Sequence, residues 1–157
     1  MASEPNLSYE EVVIRELYEE TILDHNRRPR NRGHIDGLKA EGYNPLCGDQ
    51  VEVSLRITDG IIDAIAFEGH GCAISVASAS LMTEAVKGKS PEEAKAIMRR
   101  FQALVTDTSG IEPDLDEFGD LAALAGVRAL PVRIKCATLP WHALLAALAG
   151  DTAATTE

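Results

Sequence analysis

Cys47, Cys72 and Cys136 are the residues of this chain best suited to chemistry. Three thiols in a reducing compartment do not make a disulfide framework, so each must be structural, reactive or metal-ligating. A lone cysteine is often only a small buried hydrophobe. The local settings argue against that here. Cys47 lies in Asn44-Pro45-Leu46-Cys47-Gly48-Asp49, a loop in which Pro and Gly fix the backbone and exposure is expected. Cys72 ends the turn Gly69-His70-Gly71 and precedes an Ala/Ser-rich helix, whose N-terminal dipole favours a thiolate. Cys136 is read as opening the last helix in the same way, with Lys135 beside it. A soft cation such as zinc takes thiolates or imidazoles in a tetrahedron, and a carboxylate is an acceptable fourth ligand. Asp49 is the natural candidate, two residues from Cys47 with the pliable Gly48 between, although a loop aspartate also commonly bonds its own backbone. His25, His34, His70 and His142 are alternative ligands, His70 being best placed beside Cys72.

Other chemistries lack their parts. The chain has no paired zinc-deaminase motifs, phosphate-binding glycine loop, nucleophile elbow or zinc-protease helix motif. Its 157 residues carry a formal net charge of −10, which disfavours sequence-independent binding to nucleic acid or to an anionic membrane. The N-terminus is polar and acidic rather than signal-like, so a soluble cytoplasmic protein is expected. Arg27, Arg28, Arg30 and Arg32 form the one basic cluster, either a solvated loop or a docking surface.

The elements that must position the thiols can be read from periodicity and caps. Ser8 and Glu11 suggest a capping box for a helix over Tyr9 to Asn26. Val51, Val53, Leu55 and Ile57 alternate with Glu52, Ser54 and Arg56 as in a half-buried strand, and Asp59-Gly60 turns the chain into a second strand, Ile61 to Glu68. A weaker strand is read over Leu38 to Asn44. Ala73 to Val86 is a helix stopped by Lys87-Gly88-Lys89, and Ser90-Pro91-Glu92-Glu93 opens another to about Val105. Thr106 to Gly119 reads as an acidic excursion, Asp120 to Ala125 as a short helix, and Cys136 to Leu148 as the last one. These predict one α+β domain over residues 1–150, with 151–157 a disordered C-terminal tail.

Asn44-Pro45-Leu46-Cys47-Gly48-Asp49, the Gly-x-Gly-Cys-Ala-Ile-Ser-x-Ala-Ser run at 69–78, the Lys87-Gly88-Lys89 stop and Cys136 together resemble the U-type iron–sulfur assembly proteins, across nearly the whole chain. The resemblance implies a three-stranded antiparallel sheet covered by several helices, with Cys47, Asp49, Cys72 and Cys136 gathered at one exposed end. IscU-like scaffolds carry a His immediately before the last Cys, where this chain has Lys135, which cannot ligate while protonated. They also lack the extra residues around Val105 to Gly126. Both departures are similar to the SufU branch. That branch implies a zinc-bound sulfurtransferase taking persulfide sulfur from a SufS-type cysteine desulfurase, with downstream iron–sulfur assembly proteins as further partners; Cys47, in the most mobile ligand segment, is read as the acceptor. Arg133 and Lys135 would steer the persulfide. The alternative is a scaffold that binds iron and holds a [2Fe–2S] cluster.

Overall fold

The fold is described from a computed structural model, which covers residues 19–107 and 118–155. The expected helix start at Ser8 and most of the 106–119 excursion fall outside those residues. The described part of the first helix, α1, spans 19–27. Strands β1 (Leu38–Asn44), β2 (Asp49–Thr58) and β3 (Ile61–His70) follow, then helices α2 (Ala73–Val86) and α3 (Pro91–Thr106). A 3-10 helix, Gly119–Ala129, leads into α4 (Pro131–Leu148), and a short strand β4 (Ala153–Thr155) closes the chain.

β1, β2 and β3 form the antiparallel meander that the alternation predicts. Asp59 and Gly60 both have positive φ, 55° and 75°, as the tight turn between β2 and β3 requires. The sheet nevertheless has four strands rather than three. β4 runs parallel to β1 at its outer edge, Glu41 pairing with Ala153, and the Glu41 N–H donates to the Thr152 carbonyl at 2.9 Å. Three small residues with no alternation carry no strand signal; backbone pairing to an open edge supplies the order.

One face of the sheet is covered by α2 and α4, and Val51, Val53, Leu55, Ile65 and Phe67 point into that core. Trp141 of α4 stacks on Phe101 of α3 at 4.7 Å between ring centroids, and its Nε1 donates to Ser78 Oγ of α2. Burying an aromatic ring of this size is worth about 1.5–3 kcal/mol, so this junction is a main tie between the three helices. The α3 start carries the predicted capping box, with Ser90 Oγ accepting from Glu93 N–H and the Glu93 carboxylate accepting from Ser90 N–H.

α1 is latched to α2 by a buried polar pair. His25 is 5% exposed and its Nδ1 lies 2.7 Å from Ser80 Oγ, which also accepts the Arg30 N–H at 2.8 Å. Burial pushes the His25 pKa below the ordinary value and the Arg30 charge adds to this, while Asp24, Asp120 and Glu84 oppose it. Burial acts on His142 in the same direction. Below about pH 6.5 the unfolded chain therefore takes up protons that the folded chain refuses. Stability from these histidines is full above that pH and falls as the pH drops toward their folded pKa values. Thermal melts at pH 7.5 and 5.5 are expected to show the loss, and His25→Gln to lose less between the two pH values than the wild type. An equal loss in the variant would remove His25 as a cause.

Candidate metal centre

Strand register brings the site together. Asn44 and Asp49 are the last pair of the β1–β2 hairpin, so Pro45 to Gly48, including Cys47, form the loop at that end of the sheet. The Gly48 N–H closes the loop on the Asn44 carbonyl at 2.8 Å, with Gly48 at φ +72°. Asp49 is not a loop residue, as the sequence suggests, but the first residue of β2. Its side chain ends the inward stripe of Val51, Val53 and Leu55 and is 1% exposed. Gln50 pairs with His70 at the same end of β3, and two residues later Cys72 is the N-cap of α2. The Cys72 N–H donates to Asp49 Oδ1 at 2.9 Å, so the carboxylate sits on the positive end of that helix.

Cys136 arrives differently from the expectation. α4 begins at Pro131, five residues before it, so Cys136 lies inside the helix and is fully buried rather than at an electropositive start. Proline is favoured at the first helical position, and Pro131 starts the helix here. Pro140, inside α4, has no N–H to offer the Cys136 carbonyl four residues back.

Ligand atoms of Cys47, Asp49 and Cys136 all lie within 4.8 Å of one another. The Cys47 and Cys136 sulfurs are 3.5 Å apart. Cys72 Sγ stands outside that group of three, yet its charge is felt at Cys136. Burial pushes the Cys136 thiol far above the usual thiol range, and hydrogen bonds with Asp49, Cys47 and Cys72 add to this. The expected thiolate-favouring setting is thus reversed at Cys136. The Arg133 guanidinium lies beside Cys136 and Cys72, and its hydrogen bond with Cys136, then the Cys72 charge, push its pKa up. No histidine joins the group of three: His25 bonds Ser80, and His34 Nδ1 pairs with Glu52 at 2.8 Å.

The donor set fits a soft divalent cation. Asp49 Oδ2 is buried without a hydrogen-bond partner, an arrangement that costs about 1–3 kcal/mol unless something positive faces it. Two thiols and a carboxylate oxygen of Asp49 converge, with a third thiol alongside, a donor set that suits a soft thiolate-binding cation better than magnesium or calcium. Gly71 makes the convergence possible, because a Cβ there would stand 2.5 Å from both Asp49 Oδ1 and Ser75 Oγ. Gly71→Ala is expected to push the carboxylate off the Cys72 N–H and lower zinc affinity at least about tenfold in chelator competition. Unchanged affinity would free Gly71 of this role.

The model of the NifU-like N terminal domain matches residues 17–150. The chain belongs to this family. Among relatives, the "Zinc-dependent sulfurtransferase SufU" of Bacillus subtilis is 43% identical over 130 residues, covering 82% of this chain and 86% of that protein. The "Iron-sulfur cluster assembly scaffold protein IscU" of Streptococcus pyogenes is 43% identical over 136 residues, covering 86% and 84%. A solved structure of a putative iron–sulfur cluster assembly scaffold protein for the SUF system, from Fervidobacterium islandicum, superposes with a TM-score of 0.72 at 34% identity, covering 82% of this chain and 94% of that one. The architecture described above is therefore that of a NifU-like N-terminal domain. No described helix is long and apolar enough to cross a membrane. Asn44 and Gly71 shape the site without being candidate ligands, and in the sequence they stand only as loop and turn residues beside the cysteines. The Asn-Pro pair before Cys47 and the glycine before Cys72 were the available signals.

Proposed function

We propose that the protein is a zinc-dependent sulfurtransferase in iron–sulfur cluster assembly, taking persulfide sulfur from a SufS-type cysteine desulfurase in a reducing cytoplasm. Cys47, Asp49, Cys72 and Cys136 would hold the zinc, and Cys47 would be the acceptor. The observation that carries this is the asymmetry of the thiols: Cys47 is exposed on a hairpin loop, whereas Cys72 is only partly exposed and Cys136 is buried. The B. subtilis relative bearing the sulfurtransferase name supports the same choice. Bound zinc would keep the thiols deprotonated while damping their nucleophilicity.

The chain's own residues then divide the work. Asp49 and Cys136 are fixed in β2 and α4, and Cys72 at the head of α2, so they stay while the exposed Cys47 side chain is the one free to leave. The Cys47 thiolate attacks the terminal sulfur of the donor's persulfide. A new S–S bond forms on Cys47, the donor's S–S bond breaks, and the donor cysteine leaves as a thiolate. The exchange is redox-neutral. Arg133 beside Cys136 and Cys72 offers a positive charge to the incoming persulfide.

The test is to purify the protein without added metal, measure its metal and its visible spectrum, then incubate it with a desulfurase and cysteine. One zinc, no visible bands and a mass gain of one sulfur on Cys47 are the expected results. A brown protein with sulfide-to-iron bands and no sulfur on Cys47 would replace this reading with a scaffold for a [2Fe–2S] cluster.

A further inference from the structure

Asn44 is fully buried at the inward-facing end of β1, where Ala40 and Gly42 precede it on the same side. α4 lies directly on this stripe: a Cβ at Gly42 would meet Leu139 Cδ1 at 3.1 Å and Ala143 Cβ at 3.3 Å. One turn earlier on the same face of α4, Cys136 stands over Asn44, whose Nδ2 lies 3.7 Å from Cys136 Sγ. The Asn44 Oδ1 accepts the Leu46 N–H at 3.2 Å. That backbone donor fixes which way round the amide sits, because only the oxygen can accept it. The NH2 group is therefore turned to the sulfur. One side chain thus touches the most deeply buried thiol and the loop that carries the most exposed one.

We infer that Asn44 is a positioning residue which donates an N–H···S hydrogen bond to Cys136 when that sulfur is a metal-bound thiolate, while its Oδ1 straps the Cys47 loop. The inference rests on the metal-binding reading of the cysteine cluster. A donor aimed at a thiolate withdraws electron density from the sulfur and offsets the cost of burying its charge. Cys136 is thereby fitted to hold the metal and to remain unreactive. Cys47, on a loop tied at Leu46 and Gly48 but exposed itself, is left as the ligand that can leave. The division of roles among the thiols is then written into β1 as well as into exposure.

The test uses the full-length wild-type protein, loaded with cadmium-113 and labelled with nitrogen-15. A hydrogen bond from amide to metal-bound sulfur transmits scalar coupling between the Asn44 Nδ2 proton and the cadmium nucleus, and moves that proton downfield of ordinary asparagine amides. Both signs are expected at Asn44. Asn44→Asp keeps an oxygen for the Leu46 N–H but offers no donor to the sulfur. It should weaken zinc binding at least about tenfold and shift the thiolate-to-cobalt charge-transfer band of the cobalt form to lower energy. Cadmium bound through thiolates with no coupling at Asn44 and an unshifted amide would overturn the inference alone. Failure to bind cadmium or zinc through thiolates would overturn the metal reading along with it.

Discussion

Saturating the protein with zinc raises its melting temperature by about 10 °C, and a chelator returns it to the metal-free value; this is the expected result of a titration followed by thermal melts. A ligand that binds only the folded state at about a thousand times its dissociation constant adds about 4 kcal/mol. For a chain of this size each kcal/mol moves the midpoint by about 2–4 °C. The structure gives the physical source of that energy. The fold buries Asp49 Oδ2 without a partner, and burial pushes the Cys136 thiol upward beside Cys47 and Asp49. A divalent cation removes both penalties at once. Since thiols must lose protons to bind it, the shift is larger at pH 8 than at pH 6. Magnesium, which prefers oxygen, should produce none, and Cys136→Ser should lose most of the zinc effect. A magnesium shift equal to that of zinc would mean that the thiols are not the ligands.

Much of the arrangement is legible in the sequence because local chemistry and tertiary role agree there. Asp59-Gly60 can do little other than turn a hairpin, and Ser90-Pro91-Glu92-Glu93 little other than start a helix. The alternation of Val51, Val53 and Leu55 sets the register that puts Cys47 and Asp49 at one end of the sheet. Where the sequence misled, tertiary packing decided. The five residues from Pro131 to Lys135 read equally as loop or as first helical turn, and only packing of α4 on β1 and β2 makes them helix. Cys136 thereby moved from an exposed helix start into the core, and its expected acidity was reversed. β4 was invisible because Ala153 to Thr155 are three small residues with no apolar alternation, ordered by pairing with β1 and by Ala154 packing on the core. Asn44 could be recognised as a turn-former before proline, but a contact 92 positions away along the chain leaves no local trace.

Cys47→Ala should abolish sulfur acceptance from a desulfurase, by more than a hundredfold, while the protein still binds zinc with weakened affinity. The two outcomes are separable because the acceptor and the anchors stand on different parts of the fold. Cys47 occupies a four-residue turn whose backbone bonds Asn44 through Leu46 and Gly48, so truncating its exposed side chain leaves the turn's backbone bonds in place. Asp49, Cys72 and Cys136 remain in place at the ends of β2 and α2 and within α4. Cys72→Ala and Cys136→Ala should instead lose zinc and sulfur acceptance together. Removing an anchor leaves the other buried anions unneutralised, and breaking a buried charged arrangement costs far more than loss of one contact. Mass spectrometry of each variant after one turnover, with metal content measured on the same sample, checks all three. If Cys47→Ala carried sulfur at the wild-type rate, exposure on the loop would not be what selects the acceptor. The nucleophile would then have to be Cys72, the one remaining thiol with part of its surface open to a donor.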